Sequence, residues 1–532
     1  MVAGTGASRV LGQVRNLVLI WLIGQTSTAA NAFTLANSLP TVLYGLLVSG
    51  TLSAVLVPQI VRAYQRGSGQ EYVNRVLSLG LVAVAVMTVA LTAAVPLVVA
   101  LYGQGPDRNH LGLTVAFAWW TMPQVFFYGV YALLGQVLNA RGSFGPFMWA
   151  PVANNVVAIA TFAVFAARYG AWQDHPPEPQ LWTPGQIAVL AGGATLGIAV
   201  QALVLVPALR RAGVDYRFGW RWRGVGLRAA GGAAWWTFLA LLVAQVGFVV
   251  VSRVAAAAGA QSGPVAGLAV YNNANLLVML PHSLVTVSLL TALLPRLSAQ
   301  AADRDHQAAA ATLSRSVRAI GLFTIVASAA GVLLAGPLVR AVFPTTTAAD
   351  APALTQVVVM FMVGLPALGV WSACQRVYYA YDATRGLVPV TVAMAAVVVL
   401  GTLGVRFLLP ASQWVAGAAL AMSASYLLAA VMALVGLRRR IGPVRGGAIL
   451  RTYLRATLAV IVAAGIGWVA LTGLRAAGLV DRAGWEGWAE AVALCVLVGS
   501  VMAGVYLAVL RWLRVRELDV LIASVRRLRG AH

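Results

Sequence analysis

VLSLGLVAVAVMTVALTAAVPLVVALY, residues 76–102, runs through a long apolar stretch without one acidic side chain, and ATLAVIVAAGIGWVALTGL, residues 456–474, does the same. Runs of about 20 or more such residues match the ~30 Å hydrocarbon core of a bilayer. No water is available there to satisfy a peptide group, so a spanning element must be a helix or part of a closed barrel. A barrel would show short alternating segments, and these runs do not alternate. The whole chain fits this pattern: of 532 residues, 60% are apolar and 10% charged, with a mean hydropathy of +0.84. A soluble domain carries about 25% charged residues. The sequence therefore predicts an all-α, polytopic membrane protein.

About fourteen transmembrane helices are expected, near 3–24, 31–61, 73–102, 111–140, 145–168, 186–209, 229–252, 265–294, 311–341, 353–381, 386–409, 413–437, 450–474 and 488–513. Prolines 40, 123, 281 and 366 interrupt four of them. Such breaks are tolerated in a membrane where a neighbour re-satisfies the freed carbonyls. All 37 basic residues are arginine, and the net charge is +23. Nucleic acid is not the expected partner, because the arginines sit in short loops and not in one basic domain. With the N-terminus inside, thirty fall on the cytoplasmic side, and Arg108, Arg168, Arg253, Arg340, Arg406, Arg475 and Arg482 fall outside. That asymmetry places both termini in the cytoplasm. Arg9 and Arg15 interrupt the first apolar run, so the start reads as a span and not as a cleavable signal. Residues 513–528 read as a short interfacial helix, and 170–185, with four prolines, as ordinary coil. Cys374 and Cys495 lie in separate apolar runs and indicate no disulfide framework.

An internal repeat is visible. TMPQVFFYGVYALLGQVLNARGSFGP (121–146) aligns without a gap with GLPALGVWSACQRVYYAYDATRGLVP (364–389), at an offset of 243 residues. Pro123 meets Pro366, Asn139 meets Asp382, and Pro146 meets Pro389. A weaker echo pairs ANSLP (36–40) with ANLLVMLP (274–281). A repeat of six spans keeps one orientation, which implies two pseudo-symmetric six-helix lobes. The expected organisation is an N-terminal lobe at 1–211, a C-terminal lobe at 225–440, two extra helices at 449–515 and a cytoplasmic tail at 516–532.

Charges inside a membrane are costly and mark function. Arg9 and Arg15 lie six apart on the first span and project about 120° from each other. Arg376 lies within the tenth span. No Asp or Glu stands in the middle of any span. Buried arginines with no carboxylate to meet them favour an anion, and the planar guanidinium suits phosphate. Each has a plainer use as an interfacial snorkel or a lid on a carbonyl. Asn31, Asn37 and Ser38 on the second span, and Asn272, Asn273 and Asn275 on the eighth, stand at matching places in the repeat. They are suited either to hydrogen-bonding a glycan or to joining helices. His282, beside Pro281, is the one imidazole at membrane depth and reads first as packing or a backbone hydrogen bond. The five histidines have no metal-ligand spacing, no phosphate-binding glycine loop is present, and no base stands near Ser8, Ser38 or Ser49. The sequence therefore gives no catalytic residue, no metal site and no cofactor, and points away from an enzyme.

ASRVLGQVRNLVL (7–19), SLPTVLYGLLVSGTLSAVLVPQI (38–60), LLGQVLNARGSFGPFMWAPVANN (133–155) and TALLPRLS (291–298) together resemble the MurJ/MviN lipid II flippases, of the multidrug/oligosaccharidyl-lipid/polysaccharide exporter superfamily. The resemblance covers essentially the whole chain. It implies flipping of lipid II, the undecaprenyl-pyrophosphate-linked peptidoglycan precursor, from the inner to the outer leaflet. It also implies alternating access by rocking of two lobes about a cationic cavity, with spans thirteen and fourteen accommodating the lipid tail. The bilayer and lipid II are the implied partners, together with proteins of cell-wall synthesis or division. Arg9 and Arg15 resemble the family's two span-one arginines. The family's Asp-Ala-Phe-Phe appears as Asn31-Ala32-Phe33-Thr34, its basic pair falls at Tyr44-Gly45, the following acid at Ser49, and its span-eight arginine near Asn275 or Leu276. The candidate substrate-binding residues are thus Arg9, Arg15, Asn31, Asn37, Ser38, Asn275 and Arg376. Three other readings stand beside this one: a flippase for another polyprenyl-pyrophosphate glycan, an ion-coupled multidrug antiporter, and a non-transporting cell-wall scaffold.

Overall fold

The computed structural model describes residues 2–48, 60, 63, 69–103, 108–172, 177–219, 231–260, 265–476, 484–515 and 517. Among them the chain is helical without strands. In order, the helices are α1 (Val2–Ile23), α2 (Thr28–Val48), α3 (Gly69–Ala93), α4 (Val95–Tyr102), α5 (Arg108–Thr121), α6 (Gln124–Ala140), α7 (Gly145–Tyr169), α8 (Pro184–Arg211), α9 (Gly231–Gly259), α10 (Leu268–Ala302), α11 (His306–Leu333), α12 (Ala335–Val342), α13 (Ala351–Val363), α14 (Leu365–Ala380), α15 (Val388–Leu408), α16 (Ala411–Ile441), α17 (Gly446–Ala476) and α18 (Gly484–Trp512). Ten of these are long and apolar enough to cross a membrane, and α13 with α14, bent by 48° at their junction, makes an eleventh. Three expected spans remain. Arginines dilute α1, polar residues and Pro40 dilute α2, and the fourth span is split at Pro123 into pieces of 14 and 17 residues. The succession is that of a multi-pass membrane protein with about fourteen spans.

The repeat persists in the element boundaries. α5 and α13 begin at 108 and 351, and α7 and α15 at 145 and 388, so both pairs are 243 residues apart. The short α4 and α12 are eight residues each. α7 and α15 both carry proline in their first turn, where the missing N–H costs nothing.

The proline breaks are paid for by hydroxyls from neighbouring helices. Pro40 leaves the Ala36 carbonyl without its helical donor, and Thr121 on α5 supplies one at 2.9 Å. Pro366 does the same to Met362, whose carbonyl accepts from Ser328 on α11 at 2.7 Å. At the α5–α6 break the Trp120 carbonyl accepts from Thr195 on α8 at 2.7 Å. Each bond removes an orphaned carbonyl that lipid could not satisfy. Elsewhere the ends are capped conventionally. Thr183 and Gln186 form a capping box at the start of α8, Asp305 caps α11, and Gly442, at φ +81°, ends α16.

The chain divides into two compact units. The first comprises Met1–Gln245 with Ser252–Gly263 and Gly267–Ala269, and the second Val246–Val251, Pro264–Ala266 and Val270–His532. In the first, a core of Val73, Leu77, Leu134, Leu138 and Leu205 joins α3, α6 and α8. In the second, Val317, Cys374, Ala433 and Leu437 join α11, α14 and α16. α17 and α18 pack on α11 in this unit, held by Tyr453, which donates to the Val317 carbonyl at 3.2 Å, and Tyr506, which donates to that of Leu322 at 2.7 Å. Both cysteines are free thiols.

The segment expected to be plain coil at 170–185 is more ordered than that in its described part. Trp172 donates its backbone N–H to Leu22, residues 179–181 form a 3-10 turn, and Trp182 is buried against Phe117, Phe165 and Trp172. Two tryptophans among four prolines give that segment an apolar face, which composition alone understated. Most of the expected interfacial helix at 513–528 lies outside the described residues. Of its described part, Glu517 pairs with Arg318 on α11.

Candidate anion-binding site

The first unit contains Arg9, Arg15, Asn31, Asn37 and Ser38, and the second contains Asn275 and Arg376. α1 is held against α7 where Asn155 donates to the Ser8 carbonyl at 2.9 Å, just before Arg9. Arg9 is exposed and Arg15 half-buried. Arg15 is within electrostatic reach of Tyr128 on α6. Tyr128 belongs to a small cluster with α2: its hydroxyl accepts from Thr41 at 3.3 Å, and its ring stacks on Tyr44 at 5.6 Å between centroids. One turn further along α6, Tyr131 stacks on Phe147 at 4.7 Å and donates to the Phe147 carbonyl at 3.1 Å.

A second polar group fixes this cluster in place. Gln124 opens α6 and donates to both Asn37 at 3.0 Å and Thr195 at 3.1 Å, which ties α2, α6 and α8 together. Ser38 donates to the Leu35 carbonyl of its own helix at 2.8 Å. Asn31 is placed differently from the other residues. It is 8% exposed, accepts from the Ala269 N–H at 3.0 Å and donates to the Thr26 carbonyl at 3.3 Å. A Cβ on Gly259 or Gly267 would fall within 2.5 Å of its amide, so both glycines are required by its close approach.

In the second unit Arg376 is half-buried on α14, one turn after Ser372 and beside Tyr379. Ser372 lies 3.4 Å from His282 Nε2, so the imidazole meets a side-chain hydroxyl of α14. His282 opens a π-helical turn, residues 282–287, of the kind that recurs at functional places. Asn275 is half-buried two turns before it on α10.

The electrostatics of the first unit are one-sided. The acids among residues 1–245 are Glu71, Asp107, Asp174, Glu178 and Asp215, and none lies on α1, α2, α6 or α7. A guanidinium in that setting, flanked by phenol and threonine hydroxyls, suits an oxyanion with several acceptor oxygens. Sequence reasoning did not single out Thr41, Tyr128, Gln124 or Thr195. The signal was present in the aromatic stretch FFYGVY (126–131) inside the repeat. Tyr44 was marked only as a position where a family charge is missing.

Comparison with known proteins follows the same lines. The family profile described as "Lipid II flippase MurJ" matches residues 22–480. The probable lipid II flippase MurJ of Vibrio cholerae is 26% identical over 543 residues, which covers 98% of this chain and 96% of that one. That of Haemophilus influenzae is 28% identical over 354 residues, covering 63% of this chain and 66% of its own length. A solved structure titled "Lipid II flippase MurJ, inward closed conformation" superposes with a TM-score of 0.73 at 17% identity, over 97% of this chain and 100% of the other.

Proposed function

We propose, from the premise that this chain belongs to the lipid II flippase MurJ family, that it moves lipid II from the inner to the outer leaflet of a bacterial plasma membrane by alternating access. The observation that carries the reading is Arg15: a half-buried guanidinium beside Tyr128, on helices that bear no carboxylate. Its role is to hold the pyrophosphate, with Arg9 a turn and a half nearer the end of α1. Thr41, Tyr44 and Tyr128 offer hydroxyls and ring faces to the group beyond it. Asn37, through Gln124, keeps α2 and α6 at the spacing the cluster needs. Arg376 and Asn275 serve the same transport from the second unit, on the stripe that includes His282 and Ser372.

Both termini face the cytoplasm in this reading, supported by the split of thirty arginines against seven. The membrane potential acts on the span arginines with ~2.3 kcal/mol per charge per 100 mV, enough to bias the return of the carrier. Transport of lipid II is tested in cells depleted of their own flippase, by measuring the lipid II accessible at the outer surface. Wild-type chain restores exposure, while Arg15→Glu and Arg9→Glu insert normally and restore none. Full exposure with Arg15→Glu would remove the anion site from α1. A second reading, a flippase for another polyprenyl-pyrophosphate glycan, is favoured by the neutral residues at Asn31, Tyr44, Ser49 and Asn275. It predicts no lipid II exposure even with the wild-type chain.

A further inference from the structure

The second unit contains a groove of about 890 Å³ that the transport reading does not use. It runs between the start of α14, the outer face of α16 and the first turns of α17, and no residue of α18 lines it. Its long wall is one stripe of α16, with Leu427, Val431 and Val435 at intervals of four and Leu420 beyond them. Leu450 closes the opposite side. The polar groups of its floor are turned inward. Ser423 donates to the Met360 carbonyl at 2.7 Å and Tyr453 to that of Val317 at 3.2 Å, so the groove presents hydrocarbon.

One end is different. Arg438, in the last turn of α16, and Arg445, in the turn before α17, both line the mouth and are exposed. Among the described residues neither makes an ion pair, and no acid lines the groove. Gly446 and Gly447 open the 31-residue α17 at this mouth, where an added Cβ would meet nothing within 4 Å. The positive end of that helix therefore adds to the two guanidinium groups without a side chain in the way. From Leu420 to Arg438 the wall is roughly 27 Å long at the helical rise of ~1.5 Å per residue. One leaflet of hydrocarbon is about half of the ~30 Å core, which leaves length for a glycerol and a phosphate at the charged end.

We propose that this groove is a binding site for an anionic phospholipid of the surrounding membrane, its acyl chain along Leu420–Val435 and its phosphate at Arg438, Arg445 and the start of α17. An uncharged tail alone would not account for the paired arginines at the mouth, and a zwitterionic head gains less there because its ammonium meets the same positive field. The site is separate from the arginines of α1, so it stands or falls independently of the transported substrate.

The test uses the full chain, purified and reconstituted with either dioleoyl phosphatidylglycerol or dioleoyl phosphatidylcholine, with retained lipid counted by native mass spectrometry. The wild type retains one phosphatidylglycerol more tightly than any phosphatidylcholine. Arg438→Gln with Arg445→Gln weakens that retention roughly 30-fold, the equivalent of ~1 kcal/mol per arginine. Val431→Trp and Leu427→Trp fill the groove from exposed positions, leave the arginines in place, and abolish retention. Melting temperatures in phosphatidylcholine verify that the variants are folded. Equal retention of the two lipids, unchanged retention in all variants, or displacement of the phosphatidylglycerol by undecaprenyl pyrophosphate would each overturn the assignment.

Discussion

Replacing Asn31 separates a helix pin from a substrate contact. In the structure its amide is committed at both ends, to the Ala269 N–H at 3.0 Å and the Thr26 carbonyl at 3.3 Å, between Gly259 and Gly267. Asn31→Ala removes the acceptor and leaves the Ala269 N–H, at the start of α10, unpaired in a buried place. An orphaned buried donor costs ~1–3 kcal/mol. The Thr26 bond is longer, and its carbonyl keeps other routes to satisfaction, so it adds less. The void between two glycines contributes a further fraction, because neither has a side chain to collapse into it. The expected total is ~2–4 kcal/mol, above the ~0.6 kcal/mol average for single hydrogen bonds between membrane helices, because no neighbouring side chain replaces this one. The assay is thermal unfolding of the purified chain in one detergent, paired with lipid II exposure per folded molecule in depleted cells. The variant should melt several degrees lower while each folded molecule transports normally. An unchanged melting temperature with lost transport would refute the reasoning and return Asn31 to the substrate.

Thr121→Val and Ser328→Ala each strip one hydroxyl from a proline break, leaving the Ala36 or the Met362 carbonyl bare. Each should lower the melting temperature, and the pair should act additively because the two breaks belong to different units; strong coupling between them would count against local carbonyl repair. Past the end of α14, which the structure closes at Ala380, Tyr381 stacks on His306, lies 3.1 Å from its Nδ1, and has its phenol pushed up by burial and, secondarily, by Asp305. A folded value above the unfolded one means that its contribution is complete below pH 10 and is lost as pH rises through the folded value. Alkaline titration should therefore destabilise the wild type more steeply than Tyr381→Phe, and parallel curves would contradict it.

The fold was largely legible because bilayer physics leaves few alternatives. Apolar run lengths separate the helices, and the repeat at 121–146 and 364–389 fixes where α5–α6 and α13–α14 break. The structure adds the reason these breaks and the one at Pro40 survive, which sequence cannot supply: Thr195, Ser328 and Thr121 come from distant positions and look like ordinary helix residues in one dimension. The proposed site is legible in the sequence only in its charges. Arg9 and Arg15 stand out because a cation in an apolar run is expensive. Thr41, Tyr44 and Tyr128 do not, because an aromatic or hydroxyl side chain in a membrane helix has many uses. The two asparagines show the limit most directly. Asn31 and Asn37 look alike in sequence, yet one is spent on the backbone of another helix and the other on a side-chain network that positions α6.

The neutral residues at 31, 44, 45 and 49 bear on how the proposed anion site works. The family pattern has an acid, a basic pair and a second acid at these places, and all four are uncharged here. Acids and bases have gone in equal number, so the net charge of the stretch 31–49 is what a member with all four would have. What changes is the screening of α1. With no acid on α2, no carboxylate of that helix offsets the field of Arg9 and Arg15, and in the proposed site a group such as pyrophosphate meets two arginines in place of a mixed network. Tyr44 occupies the position of a lost base and stacks on Tyr128, next to Arg15, so rigid aromatic surface takes the place of a mobile charge. Restoring one charge should therefore do more harm than restoring none: Tyr44→Arg adds a third cation, breaks the stack, and tightens the hold on the anion at the cost of its release. Slower transport with retained lipid II binding is the expected signature, whereas faster transport would mean that the lost network, and not the two arginines of α1, sets the rate.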